Sequence, residues 1–404
     1  VTNPPETTRG PLAGLVVLDL GQVYQGPYAA LLMAQAGADV VKIEPPSGEP
    51  LRTRELIGKK TLPAMATLNQ HKRAITLNLK HARGRELLIA LARRADVLIE
   101  NYAPGVLDRL GVGASVLMAA SPRLVYATGT GYGLSGPDRD HLALDFTVQA
   151  ASGAMSVTGF PDGPPVKAGP TWIDFLSGTH LYAGVMTALF ERERTGRGRL
   201  VEVAMLDAAI HTVASQLEWI YDKEEVPPRV GNQQGSFMLA PYNAYGTKDG
   251  GTIVLLCLTE PHWKNLCTAM ERPELADDER YRTTPRRVKR REEVDALVGA
   301  WCAAQTRDEL EARLREARVP SAPVRDVREA LHRPHLHERG ALEWFEHPSL
   351  GRIALPKSPI RLHGSEPLRG ARNPNLGEHN REIYGGWLGL RDEEIDALAR
   401  DGAI

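Results

Sequence analysis

Asp174, in the segment Gly169–Gly178 (GPTWIDFLSG), is the residue whose type and setting point most directly to chemistry. It stands directly before a long run predicted as a helix, Leu176 to Arg194, where unsatisfied backbone N–H groups and the helix dipole favour an anion. A carboxylate there is either a helix cap or a nucleophile, with the same N–H groups stabilising charge on the group it attacks. Gly169 and Gly178 would let a ligand come close to the backbone. A second group occupies Glu100–Gly111 (ENYAPGVLDRLG). Asn101 and Tyr102 directly follow a predicted strand, and Arg109 lies in a helix opened by Pro104. An amide, an aromatic face and a guanidinium suit a nucleotide through base contact, stacking and phosphate pairing; an ordinary loop with a solvated arginine is the alternative. His71, Lys72, Arg73 and Lys80 gather around another predicted strand, where they would either neutralise phosphates or face solvent.

Three further patterns carry less. Gly129–Gly136 (GTGYGLSG) has dinucleotide-like glycines but no clear helix after it. In HRPHLH, Pro334 interrupts His332, His335 and His337, and no carboxylate or cysteine has ligand-like spacing, so no metal is expected. Arg286–Arg291 (RRVKRR) is flanked by Asp277–Glu279 and Glu292–Glu293 and reads as a solvated face.

These residues need elements to hold them. Strand-length apolar runs at Leu15–Leu20, Asp39–Glu44, Ala74–Leu79, Asp96–Glu100 and Leu124–Thr128 alternate with predicted helices at Pro27–Ala36 and Arg83–Arg94. Such alternation predicts an α/β fold with a parallel sheet covered on both faces. Its ligands belong at the carboxyl ends of the strands, in the loops after Leu20, Glu100 and Thr128. After the long helix come a strand, Leu200–Ala204, and a helix, Leu206–Tyr221. The texture changes at Asp222–Gly231, with charges, Pro227 and Pro228, and again at the proline-bearing Val319–Val324. The expected organisation is a large domain beginning at 1–225, a small domain at 226–325, and a linker and return to the large domain at 326–404. The 49 Lys and Arg nearly cancel the 50 Asp and Glu, which gives no bulk attraction for nucleic acid or an acidic membrane. No apolar run approaches the roughly 20 residues that span a bilayer, and Val1–Gly10 lacks a signal-peptide pattern. Cys257, Cys267 and Cys302 show no Cys-x-x-Cys spacing, so reduced thiols in a cytoplasmic protein are expected.

Taken together, these segments resemble the class III CoA-transferase family, which includes formyl-CoA and carnitine CoA-transferases and the related 2-methylacyl-CoA racemases. The resemblance runs from PLAGLVVLDL (11–20) through GADVVKIE (37–44), NQHKRAITLNL (69–79), ENYAPGVLDRLG (100–111) and TGYGLSGP (130–137). It continues through QAASGAMSVTG (149–159), ALFERERTGRGRLVEV (188–203), PYNAYGTKDG (241–250) and NLGEHN (375–380). It implies that Asp174 forms mixed-anhydride and aspartyl-CoA thioester intermediates. It also implies that Asn101, Tyr102, Arg109, Leu77 and Lys80 hold the CoA nucleotide; Lys72 and Arg73, from the same basic cluster as Lys80, are taken with them as candidate CoA-binding residues. Val23, Tyr24 and Gln25 would border the pantetheine and acyl group. The implied fold is a Rossmann-like large domain plus a smaller α/β domain, in an interlocked homodimer; acyl-CoA and a carboxylic acid are the substrates, with no metal.

The chain also departs from the family. Pro45 stands where many relatives have an arginine, and Tyr24 where formyl-CoA transferase-like proteins have a glutamine. The glycine-rich loop of those enzymes is reduced to GNQQGS at Gly231–Ser236. Trp172 and Tyr24 suggest an apolar wall beside the acyl group, while Lys167 and His180 could bind the second carboxylate of a dicarboxylic acid. A racemase needs an acid and a base on opposite faces of one carbon; here Leu144 replaces the histidine expected before Asp145, and His141 lies three residues before it. The remaining alternative is a non-catalytic CoA-binding protein, against which Asp174 argues.

Overall fold

The computed structural model describes residues 10–53, 62–236, 238–363 and 368–404. They divide into two compact units, one of Val1–Ser152, Gly169–His211 and Leu331–Ile404, the other of Gly153–Ala168 and Thr212–Ala330.

The first unit is built on six strands: β1 (Val16–Asp19), β2 (Asp39–Glu44), β3 (Lys72–Thr76), β4 (Val97–Glu100), β5 (Val125–Thr130) and β6 (Leu200–Ala204). All pair in parallel, in the order β3-β2-β1-β4-β5-β6, which is the doubly wound order. Successive side chains of a strand point to opposite faces, and here both faces are apolar. Leu18, Val41, Leu98 and Tyr126 point to one core, with Leu87, Leu88 and Leu91 of helix α2 (Ala82–Ala92). Their neighbours Val17, Val40, Ile99 and Ala127 point to the other, against Ala29, Ala30 and Met33 of α1 (Gln25–Gln35). Two further helices belong to this account: α3 (Asp145–Ala151) and the 24-residue α4 (Trp172–Thr195), whose Leu181, Val185 and Leu189 share the second core with α1.

The C-terminal helices α5 (Asn380–Leu388) and α6 (Asp392–Arg400) close the first core with Ile383, Tyr384, Ile395 and Leu398. The segment NLGEHN leads into α5 and protects the edge strand β3. His379 Nδ1 accepts from the Ala74 N–H at 3.1 Å, Asn380 Oδ1 accepts from the Thr76 N–H at 2.9 Å, and the Tyr384 hydroxyl donates to the Thr76 carbonyl at 2.7 Å. Groups that would otherwise be an open template for strand pairing are thereby occupied. A hairpin of Leu342–His347 and Gly351–Pro356 also belongs to this unit.

The second unit has a three-stranded antiparallel sheet of Tyr242–Gly246, Thr252–Leu256 and Ser321–Pro323, packed on helices through Trp263, Tyr281, Val294, Val298, Leu310 and Leu314. Cys257, Cys267 and Cys302 are unpaired in that core. Burial pushes each of their thiols up to about 12, so they pack as small apolar groups. No helix among the described residues is long and apolar enough to cross a membrane.

Two expectations shift. The predicted helix Leu206–Tyr221 is interrupted by a 3₁₀ stretch, His211–Gln216, between short helices Met205–Ile210 and Leu217–Tyr221; the chain leaves the first unit there. The long helix begins at Trp172, four residues earlier than its apolar pattern predicts, and the cause is tertiary. Asp145 Oδ2 accepts the Ile173 N–H at 2.8 Å and that of Asp174 at 3.4 Å. This carboxylate from α3 does what a local cap would do, while Thr171 makes no side-chain cap bond.

Candidate active site

The winding of the sheet reverses between β1 and β4, which places the natural crevice at the carboxyl ends of these strands. The two loops there are tied together. Asn101 Oδ1 accepts the Gln22 N–H at 2.7 Å, and Asn101 Nδ2 donates to the Gln22 carbonyl at 3.0 Å. The Tyr102 N–H donates to Glu100 at 2.7 Å. Burial pushes the Glu100 carboxyl up to about 7, against hydrogen bonds from Thr128, the Tyr102 N–H and Tyr126 that favour its charged form.

A buried ionic network supports the loop after β1. Lys42 Nζ donates to the Gly21 carbonyl at 2.6 Å and meets Glu49 at 3.2 Å, with both side chains almost fully enclosed. Glu49 Oε2 accepts the Val23 N–H at 3.0 Å. Val23 has φ of 64°, a left-handed conformation that a β-branched residue adopts only when its surroundings impose it. Glu44 is clamped by two bonds from Arg52, both 2.8 Å. Burial disfavours a charged Asp19, yet Lys72 and Lys42 outweigh it and hold the carboxyl below its ordinary value.

Asp174 is the third residue of α4, inside the helix's first turn. Its side chain is mostly buried and forms no ion pair among the described residues. Burial, then the charge of Asp145, push its carboxyl from 3.8 up to about 7. Asp145 is held in place by Gln149 Nε2, which donates to its Oδ1 at 2.5 Å. Around the next residue, Phe175, Tyr28 stands edge-on at 4.8 Å and Tyr24 at 5.9 Å, over Leu31, Leu51, Met65 and Leu68. The start of α1 abuts α4: a Cβ on Gly178 would stand 2.7 Å from the Gln25 carbonyl oxygen and 3.2 Å from the Tyr28 ring. Gly178 therefore serves helix packing, and no close-approaching ligand is needed to explain it. Gly169 has no atom within 4 Å of where its Cβ would be.

Val23, Tyr24 and Gln25 lie at the opening of α1, where Tyr24 packs near Phe175, the residue after Asp174, and Asn101 bonds to Gln22; Tyr102 follows Asn101 in the loop after β4. Leu77 is buried just past β3, its N–H donating to the Glu44 carbonyl at 2.7 Å. Lys80 and Arg109, both past carboxyl ends of strands, are exposed and form no ion pair among the described residues. Two basic residues are placed differently from the sequence reading. Lys72 is enclosed, its ammonium donating to Asp19 at 2.7 Å and to the Pro27 carbonyl and Asn69 at 3.0 Å each. With all three donors used, it neutralises Asp19 and has none left for a phosphate. Arg73 pairs with Asp39 and, at 2.6 Å, with Glu382, and lies over Trp387. Trp172 joins Val148, Ile173 and Met205 in a separate cluster from Tyr24, so Phe175 and Tyr28, not Trp172, complete the aromatic wall. Lys167 and His180 are exposed, bonded to the carbonyls of Ala168 and Leu176.

Sequence reasoning missed Asp145 as the cap of α4, and Lys42 and Glu49 as the supports of Val23; a lysine inside an apolar strand, DVVKIE, was the one visible signal. His337 stacks on Trp344, with ring centroids 5.2 Å apart, and no group among the described residues could hold a metal ion. Within RRVKRR, Arg287 is fully buried, donating to the Ala240 and Tyr281 carbonyls at 2.8 Å each and pairing with Glu260 at 2.7 Å. That side chain is a structural strut; Arg286 and Arg290 remain exposed and face Glu279 and Glu293.

Comparison with known proteins agrees with this fold. The model of CoA-transferase family III matches residues 12–380. The chain is 37% identical to a formyl-CoA:oxalate CoA-transferase of Streptomyces avermitilis, over 97% of this chain and 99% of that protein. It is 33% identical to a succinyl-CoA–D-citramalate CoA-transferase of Chloroflexus aurantiacus, over 96% of each. Among solved structures, a CAIB/BAIF family protein from Brucella suis superposes with a TM-score of 0.82 at 31% identity, covering 94% of this chain and all of that one. With a six-stranded doubly wound sheet, a carboxylate at the opening of its longest helix and a family match along nearly its whole length, the chain belongs to CoA-transferase family III, enzymes that act on acyl-CoA thioesters and carboxylates.

Proposed function

We propose that the protein moves coenzyme A from an acyl-CoA donor to a carboxylic acid acceptor, with Asp174 as the nucleophile. The observation that carries this reading is a carboxyl mostly buried in the first turn of a 24-residue helix, without an ion-pair partner among the described residues and pushed up to about 7. A purely structural aspartate in a first turn is expected to be exposed or paired, with a depressed value.

In this reading an Asp174 oxygen attacks the thioester carbon and CoA thiolate leaves, forming a mixed anhydride. The thiolate then attacks the Asp174 carbonyl carbon, expelling the donor's carboxylate and leaving an aspartyl-CoA thioester. The acceptor carboxylate reverses these steps and departs as its CoA thioester. A carboxylate, with a reference pKa of about 4, is a good leaving group, so both intermediates stay reactive, and burial keeps water from hydrolysing them. Lys80 and Arg109, exposed and without an ion pair among the described residues, fit the phosphates of CoA. Asn101 and Tyr102 border its path, and Val23, Tyr24 and Gln25 the acyl end. The cluster of Tyr24, Tyr28 and Phe175 favours an acyl group bulkier than formyl or oxalyl. An interlocked homodimer and a cytoplasmic location belong to the same reading, the latter supported by three unpaired cysteines.

The test is intact-protein mass spectrometry after incubation with formyl-, acetyl- and succinyl-CoA, with hydroxylamine or borohydride trapping and peptide mapping. A covalent adduct on Asp174, lost with turnover in Asp174→Ala, is expected. An adduct on another residue, or full turnover in Asp174→Ala, overturns the assignment.

A further inference from the structure

Gln25 opens α1 and is 3% exposed, yet its Nε2 has no hydrogen-bond partner among the described residues. Leaving such a donor unpaired carries its full desolvation penalty, and native interiors contain few of them. Two glycines on different elements make room for this one residue, one for its side chain and one for its backbone. The amide lies against Gly129 near the end of β5, where a Cβ would stand 2.5 Å from Oε1 and 2.9 Å from Nε2. The backbone of Gln25 lies against Gly178 of α4, where a Cβ would stand 2.7 Å from its carbonyl oxygen. Asp174 is four residues before Gly178, hence on the same helix face and about 6 Å along the axis. The Gln25 backbone thus lies one turn along α4 from Asp174, while its unpaired amide lies against Gly129 near the end of β5, at the carboxyl end of the sheet.

An acceptor suited to that position is an oxygen that gains negative charge during reaction. Accepting the reading of Asp174 as nucleophile, we propose that the side-chain amide of Gln25 donates to the acyl oxygen of the thioester while Asp174 attacks its carbon. As the new C–O bond forms, the carbonyl electron pair moves onto that oxygen. The pair returns when the C–S bond breaks and thiolate leaves. A neutral donor strengthens its bond as this charge develops and leaves the attacking carboxylate un-neutralised beforehand. The same contact serves the second anhydride, formed with the acceptor acid, because its acyl carbon presents the same oxygen. Gln25 is thereby a catalytic residue selecting acyl groups whose carbonyl oxygen can point at β5.

The experiment is single-turnover acylation of the full chain, using whichever of formyl-, acetyl- or succinyl-CoA labels the wild type. Gln25→Met keeps length and removes the donor. The expected result is an adduct still on Asp174 but formed about 10²–10³-fold more slowly, with the Kd for free CoA within about threefold of wild type. Acylation of Asp174 at the wild-type rate overturns the proposal and leaves the nucleophile assignment standing. So does a slowing matched by equal losses in CoA affinity and thermal stability, which a packing role alone produces. If Gln25→Met does not fold, Gln25→Leu, a smaller side chain without a donor or a charge, decides between the same outcomes. An adduct that maps elsewhere in the wild type removes the nucleophile reading itself, and this proposal with it.

Discussion

Replacing Asp174 by asparagine should abolish acylation and stabilise the protein. The carboxyl rises from 3.8 to about 7 because burial first, and the Asp145 charge second, disfavour its ionised form. A group whose folded value lies above its unfolded one binds protons more readily in the native state, so its ionisation opposes folding. Below pH 4 the group is protonated in both states and contributes nothing. Between about pH 4 and 7 the unfolded chain ionises first, and native stability falls as pH rises. Above about 7 both states are ionised and the penalty is constant. The gap corresponds to roughly 4 kcal/mol at about 1.4 kcal/mol per pH unit, an upper figure because part of the side chain reaches solvent. Asparagine has the same shape and no charge, so Asp174→Asn should be about 2–4 kcal/mol more stable at pH 8. That gain should shrink steadily toward pH 4. Urea unfolding of both proteins at pH 4.5, 6 and 8 reads the difference. A variant no more stable at pH 8, or a gain that does not vary with pH, refutes the argument that Asp174 is a desolvated carboxylate repelled by Asp145.

Three other outcomes follow from the same geometry. The rate of Asp174 acylation in the wild type should rise about tenfold per pH unit below a midpoint near 7 and level off above it, and Asp145→Asn should move that midpoint to lower pH; an unmoved midpoint removes Asp145 as a cause. Lys72→Met should cost about 3–5 kcal/mol in thermal or urea unfolding because it strands the enclosed Asp19, whereas Arg73→Met, at a partly exposed pair, should cost about 1 kcal/mol or less; equal losses would contradict the burial difference. Gly178→Ala should destabilise by about 1–3 kcal/mol through its contact with the Gln25 carbonyl and slow acylation as well, since it separates the openings of α1 and α4; unchanged stability would show that the helices relax apart without strain.

What the sequence determined by itself is what depends on local pattern. The apolar runs LVVLDL, DVVKIE and DVLIE, separated by helical periodicity, specify a parallel sheet buried on both faces, because each strand alternates between two apolar cores. The position of Asp174 at the opening of a 24-residue helix was likewise legible, as were the loops that follow β1, β4 and β5 at the carboxyl end of the sheet. The tertiary structure decided where that helix begins, because its first N–H groups are taken by Asp145, 28 residues away from Ile173. It decided which lysines are free: Lys72 and Lys80 look alike in sequence, but one is enclosed against Asp19 and the other faces solvent. It showed that NLGEHN secures the edge of β3, about 300 residues earlier in the chain. And it left the Gln25 amide without a hydrogen-bond partner among the described residues, against Gly129 near the end of β5. Burial and pairing across such separations are properties of the packed chain, set by which side chains reach the same small volume, and no local periodicity encodes them.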